Sequence, residues 1–172
     1  RPQNRAWARG VLARASLLRA SWAAQGSMMH GDGEDLPAAA GPTGASDVAE
    51  AWRAQRAGER ATRIGRLALG VASARDRLLA VLAAESGAPV SALDAEISSA
   101  VDAARYLGLL AGGLGAVRGA EFQADRLALV VADASASFSE RAEAVLAALA
   151  AGSAVVLVAH ASVARSSAAL IE

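Results

Sequence analysis

The chain has 172 residues, of which 17 are basic and 17 acidic, and it carries no formal net charge at neutral pH. The absence of cysteine excludes disulfides, thiolate nucleophiles and cysteine-ligated metals within these residues, and the zero net charge argues against broad electrostatic binding of nucleic acid. A hydrophobic content of 54% with 20% charged residues argues against disorder and fits one domain, or about half of a large one.

Every basic residue is an arginine, and alanine is far more frequent than in ordinary proteins. Alanine is the best helix former, so the composition favours helix, although a GC-rich genome alone produces the same bias. Without lysine, no Schiff base, P-loop lysine or lysine general base can form here. The chain begins at Arg1 and stops at Glu172 within a helical pattern, so we expect a piece of a longer protein.

The first segment, residues 1–23, combines arginines with an interrupted apolar face and contains no acidic residue. This pattern predicts a basic amphipathic helix. A membrane-surface or transit-peptide role is one alternative, but we expect a solvated connecting helix. The apolar face consists of Trp7, Val11, Leu12, Leu17, Leu18 and Trp22.

Glycines and prolines recur through residues 24–46 and predict a linker. His30 lies there with three acidic neighbours, Asp32, Glu34 and Asp35. These side chains allow a metal site as one interpretation, but no second histidine is nearby, so we expect a polar loop and no bound metal. We therefore divide the chain into a basic helix with a linker, residues 1–45, and a domain, residues 46–172.

Helical spacing of apolar residues resumes at Ser46 and Asp47, which resemble an N-cap pair, and predicts helices over residues 46–112. Gly87 with the following Ala-Pro stops the pattern, and residues 91–94 then resemble a capping box with Asp in place of Glu. The positions predicted to face inward are Ala51, Trp52, Ile64, Leu67, Val71, Leu78, Leu79, Leu82, Leu93, Ile97, Val101, Ala104 and Leu107.

The pattern changes over residues 125–172. Short apolar runs at 127–131 and 154–158 predict two buried strands. Between them, residues 137–140 resemble a capping box that begins a helix, and Ser162 is placed to cap a final helix. Strand, helix, strand and helix with short turns predict a parallel sheet with a right-handed crossover, and hence an α/β fold.

One rival interpretation concerns residues 144–164, a run of 21 residues without a formal charge. Its length is close to that needed to span a bilayer. Alanine, glycine and serine contribute little to membrane insertion, and Gly152 with Ser153 splits the run. We therefore expect no membrane span, and keep a small membrane-associated helical protein as an alternative.

Short motifs along residues 46–172 match one family. They are Ala51-Trp52-Arg53, Glu59-Arg60-Ala61, Glu85-Ser86-Gly87-Ala88-Pro89, Glu96, Val101-Asp102 and Arg105-Tyr106. The longest, residues 146–157, is Leu-Ala-Ala-Leu-Ala-Ala-Gly-Ser-Ala-Val-Val-Leu. On these motifs the chain resembles the N-terminal part of an aldehyde dehydrogenase. The resemblance implies N-terminal helices followed by an incomplete Rossmann-like βαβα parallel sheet, with NAD as the cofactor of the parent family.

A narrower resemblance lies at the start of the chain. Asn4-Arg5-Ala6-Trp7-Ala8-Arg9 resembles the segment that precedes the aldehyde dehydrogenase part of bifunctional proline-utilisation proteins. Those proteins couple proline dehydrogenase to Δ1-pyrroline-5-carboxylate dehydrogenase. The resemblance therefore implies a relative of the domain that oxidises Δ1-pyrroline-5-carboxylate to glutamate.

The chain departs from the family at both visible active-site motifs. After the first strand the family has Pro-Trp-Asn-Phe-Pro, whose asparagine amide is implied to stabilise an oxyanion. Alignment without gaps places Ala134 at the tryptophan and Ser135 at the asparagine, and a serine hydroxyl is shorter and offers one donor. After the second strand the family has a lysine implied to hold the adenosine ribose, followed by Pro-Ala or Pro-Ser. Here these positions are Val158, Ala159 and His160.

We therefore expect a truncated, non-catalytic, cytoplasmic domain with a structural or oligomerisation role, which binds no NAD. Its partners would be the remainder of a longer polypeptide or another subunit, including a second copy of itself. The alternative within the family is the N-terminal piece of an active NAD-dependent enzyme. Residues 113–119 superficially resemble a dinucleotide loop, but no strand precedes them, so we expect a helix stop.

Overall fold

The computed structural model describes residues 2–28 and 45–171, which form seven helices and two strands among them. The helices are α1 (Pro2–Met28), α2 (Ala45–Arg53), α3 (Ala57–Ser73), α4 (Arg75–Ser86), α5 (Val90–Gly113), α6 (Phe138–Ala151) and α7 (Ala164–Ile171). The strands are β1 (Leu127–Ala132) and β2 (Ala154–Ala159). Short 3₁₀ turns follow α5 at Leu114–Ala116 and β2 at Ala161–Val163. The order confirms the predicted α/β class.

Local chemistry accounts for most element boundaries. Gly87 and Gly152 end α4 and α6 in the left-handed conformation, with φ of 69° and 101°. Only glycine adopts such angles without strain. Ser137 begins α6 by accepting from the Glu140 amide, while the Glu140 carboxylate accepts from the Ser137 amide at 2.8 Å. This confirms the predicted capping box.

The core is mainly helical and centres on α5, which packs against α3 and α6. Leu93, Ile97, Val101 and Ala104 are buried along one face of α5, as their spacing predicted. Ile64 on α3 is fully buried beside them. The helical half of the chain is therefore held by one continuous apolar layer.

Helix α1 belongs to this core, so the prediction of a solvated connecting helix is wrong. Val11 and Ala15 are buried, while Trp22 is partly buried and lies under the Arg165 guanidinium, 4.3 Å from its ring centre. Leu12 and Leu17 are exposed, so the buried face of α1 is narrower than the predicted apolar face. The helix buries a stripe spaced by three and four residues, as a partner-bound helix does.

Polar contacts fix the direction of α1 on α4. The Trp7 indole N–H donates to Asp76 at 2.8 Å, near the start of α4. The Arg19 guanidinium donates to the carbonyls of Ala83 and Ala84, near the end of α4. Because these contacts follow the same residue order along α1 and along α4, the two helices are parallel. Arginine at carbonyls of a helix C-terminus is also favoured by the helix dipole.

The linker prediction is wrong at its start, because α1 continues through Gly26 to Met28. One glycine costs a helix only about 1 kcal/mol relative to alanine and does not end it. The remainder of the predicted linker, with His30 and its acidic neighbours, lies outside the described residues.

The strands form a parallel pair in which Leu127 lies opposite Ala154 and Ala132 opposite Ala159. Helix α6 connects them, so the predicted βαβ unit is confirmed. The prediction that both strands are buried is wrong. Leu129 and Val131 are 64% and 69% exposed, because no described helix covers that face of the sheet. We call the exposed residues Leu127, Leu129, Val131, Val156 and Val158 the open face.

Three predicted caps are wrong. Helix α2 begins at Ala45, so Ser46 and Asp47 lie in its first turn. Helix α5 begins at Val90, and its predicted capping box does not form because Asp94 pairs with Arg75. Ser162 lies within a 3₁₀ turn whose cap is a histidine at position 160. In the last two of these cases the polar side chain engages another partner, Arg75 for Asp94 and His160 for Ser162.

Most of the residues that were predicted to face inward over residues 46–112 are buried or partly buried, with two exceptions. Ala51 is exposed, and the buried position of α2 is Ala49. Leu67 is 44% exposed and lines a cavity rather than the packed core. Trp52 is partly buried, and its indole N–H donates to the Leu149 carbonyl at 3.1 Å, which ties α2 to α6.

Candidate functional site

Ligands of open α/β sheets bind beyond the carboxyl ends of the strands. In this chain those ends are residues 133–137 after β1 and residues 160–163 after β2. They adjoin, because the His160 amide donates to the Ala132 carbonyl at 2.8 Å. The structure therefore brings together the two segments in which the sequence predicted departures from the family.

The turn after β1 is organised by Asp133. Its Oδ1 accepts from the Ser135 hydroxyl at 2.7 Å, the Ser135 amide at 2.8 Å and the Ala136 amide at 3.0 Å. The hydrogen bond from the Ser135 hydroxyl, followed by those from the two amides, holds the pKa of Asp133 below its usual value. Three hydrogen bonds to one ionised carboxylate therefore hold the turn.

This geometry commits the Ser135 hydroxyl proton to Asp133. A hydroxyl has one proton to donate, so Ser135 offers no side-chain donor to a developing oxyanion. Ala134, which is predicted to align with the family tryptophan, is exposed and adds no polar side chain. Sequence reasoning missed Asp133, although aspartate two residues before serine is a recognised signal for such a turn.

The end of β2 is equally unsuited to ribose. Val158 is 50% exposed on the open face and has no hydrogen-bonding atom in its side chain. Ala159 is half-buried. The imidazole Nδ1 of His160 lies 2.8 Å from the Ser162 hydroxyl and accepts from the Ser162 amide at 3.2 Å, so the ring folds back over its own turn.

Helix N-termini are the usual phosphate sites at this edge of a sheet, because their amides point outward and their dipoles are positive. Here carboxylates occupy them. Glu96 of α5 accepts from the Phe138 amide at the start of α6 at 2.7 Å. Glu85 of α4 accepts from the amides of Arg165 and Ser166 at the start of α7, at 2.9 and 3.3 Å.

Arg141 lies between these two helix ends and is 97% buried. Its guanidinium donates to the Ser166 hydroxyl at 2.7 Å and to the Ala136 carbonyl at 3.3 Å. Burial lowers the pKa of Arg141, and the negative charges of Glu85 and Glu96 oppose that shift. Sequence reasoning missed this group, because an arginine on a helix is ordinarily solvent-exposed.

The cavity at this edge has a volume of about 370 Å³ and is lined by the end of β1, its turn and the first turns of α6. Two carboxylates, Asp133 and Glu140, line it with Arg141. The Glu140 carboxylate has a pKa below its usual value because it accepts hydrogen bonds from Ser137, chiefly from the amide. A pyrophosphate placed here would meet two carboxylates and one guanidinium, so the lining has a net negative charge.

These residues do not fit NAD. Val158 stands at the position predicted to align with the family lysine, and the cavity is lined by two carboxylates against one guanidinium. The glycine-rich stretch at 113–119 offers no replacement, because it forms the end of α5 and a 3₁₀ turn. Within residues 2–28 and 45–171, no group of histidines and carboxylates is arranged to hold a metal ion.

The parallel βαβ unit with its preceding helices defines an α/β protein with an incomplete Rossmann-like fold. The family model described as the aldehyde dehydrogenase family matches residues 21–135, about two thirds of the chain. The chain therefore belongs to the aldehyde dehydrogenase family. A search of curated proteins and a search of solved structures each give no match.

The matched range bears on the earlier expectations in two ways. It begins at Ser21, ahead of the domain start expected at residue 46, and so includes the end of α1. It ends at Ser135, so the segment 146–157 and strand β2 lie beyond it. The alignment of Val158 and Ala159 to family positions therefore stays a prediction. Among the described helices, none has the length and apolarity that a bilayer crossing requires.

Proposed function

We propose that this chain is a non-catalytic aldehyde-dehydrogenase-like domain with a structural role. The observation that carries the proposal is the Asp133–Ser135 hydrogen bond, which removes the side-chain donor from the position aligned with the oxyanion-binding asparagine. The 172 residues also contain no cysteine, so a thiol nucleophile would have to come from outside them.

The packing near the strand ends fits a structural role. Glu85 and Glu96 accept from amides at the starts of α7 and α6, and they hold these helices onto the helical core. The same two carboxylates compensate the buried charge of Arg141. Glu85 and Glu96 belong to the motifs that resemble the family, so these contacts support the packing of the domain and are not a departure from the family.

Within the family, we assign the parent enzyme to the Δ1-pyrroline-5-carboxylate dehydrogenases of proline degradation. The supporting motif, residues 4–9, lies on α1. Trp7 of that motif donates to Asp76, so the segment packs against the part of the chain that matches the family. The assignment rests on this short motif and its packing.

Two further expectations belong to this proposal. We divide the chain between residues 45 and 46. Helix α1 nevertheless packs against α4 and α5 of the domain that follows. We place the protein in the cytoplasm, where the family's proline-degrading relatives would be expected. Its partners are the remainder of a longer polypeptide or another subunit, through a homo-oligomer or a domain contact.

The test is dehydrogenase activity of the complete chain. Purified protein is mixed with NAD and either Δ1-pyrroline-5-carboxylate or a simple aliphatic aldehyde, and NADH is followed by absorbance. We expect no NADH above the rate without protein, with an active aldehyde dehydrogenase as the positive control. Turnover that is lost in His160→Ala or Ser135→Ala would overturn the proposal and identify the residues responsible.

A further inference from the structure

We draw no further inference here: the strongest candidate, the cavity of about 450 Å³ between α2, the start of α3 and the end of α6 with Arg53 and Arg60 in its wall, carries nothing because Arg53 lies in the last turn of α2 and Arg60 beside Gly152 at the end of α6, where both charges complement helix dipoles, and nothing among the described residues indicates a ligand.

Discussion

Glu96 should contribute far more to stability than its partly exposed position suggests. Its carboxylate accepts from the Phe138 amide at 2.7 Å, across 42 residues of sequence, and its charge faces the buried guanidinium of Arg141. Hydrogen bonds to charged groups contribute about 1.5–3 kcal/mol each. Solvent screening reduces the charge contribution, so we expect Glu96→Ala to lower the free energy of unfolding by about 2–3 kcal/mol.

Glu96→Gln separates the two contributions. Glutamine can still accept from the Phe138 amide but carries no charge. Glu96→Gln should therefore lower the free energy of unfolding about half as much as Glu96→Ala, by roughly 1–1.5 kcal/mol. The matched control is Glu143→Ala on α6, where the replaced side chain is exposed. Substitutions at such surface positions usually change stability by less than about 0.5 kcal/mol.

The assay is urea and thermal unfolding followed by circular dichroism. In a chain of this length, 1 kcal/mol shifts the melting temperature by about 2–4 °C, so Glu96→Ala should lower it by roughly 4–12 °C. If Glu96→Ala and Glu143→Ala unfold within about 0.5 kcal/mol of one another, the assigned role of Glu96 in holding α6 is refuted.

Three further predictions concern backbone, pH and packing. Gly152→Ala should destabilise the chain by about 1–3 kcal/mol in urea unfolding, because φ is 101° there, whereas Gly70→Ala in helical backbone with open space should stabilise it by about 0.5–1 kcal/mol. The folded-state pKa of Asp133 lies below the unfolded value, so its stabilisation is present above about pH 4 and is lost as the pH falls through the folded pKa. Asp133→Asn should flatten that acid limb in melting curves. Ile97→Ala should cost about 2–5 kcal/mol, while Leu109→Ala, 78% exposed, should cost under about 0.5 kcal/mol.

Opposite results would contradict these assignments individually. If Gly152→Ala and Gly70→Ala changed the free energy of unfolding equally, the positive φ of Gly152 would not explain its effect. If the melting temperature of Asp133→Asn fell at low pH as steeply as that of the unaltered chain, the turn after β1 would not depend on the Asp133 carboxylate. If Ile97→Ala and Leu109→Ala lowered the free energy of unfolding by similar amounts, the assignment of Ile97 to the packed core would be wrong.

Local features of the fold could be predicted from the sequence. The capping box at Ser137 and the stop at Gly87 depend on residues within one turn of each other, so the pattern alone is sufficient. The buried stripe of α5 and the βαβ order also follow from periodicity.

Features that depend on distant partners could not be predicted. Glu85 contacts the start of α7 from 80 residues away, and Asp94 turns from a local cap to Arg75. The open face of β1 was expected to be buried because an apolar run does not show whether one or two layers cover it. Burial of α1 depends in the same way on the presence of α4.

The site was predicted in part. The sequence located the altered strand ends at Ser135 and Val158, but it did not show that Asp133 binds the serine hydroxyl or that carboxylates occupy the helix N-termini. The Asp133 contact, rather than the substitution alone, gives the physical reason to expect no oxyanion donor from the Ser135 side chain.

The most direct test of the central claim is the affinity of the complete chain for NAD, measured by isothermal titration calorimetry. The account predicts no saturable heat at millimolar NAD, because the cavity at the strand ends is lined by two carboxylates against one guanidinium, and Val158 stands at the position aligned with the family lysine. Saturable binding with a dissociation constant in the millimolar range or tighter would contradict it. That result would show that the strand ends still form a functional cofactor site.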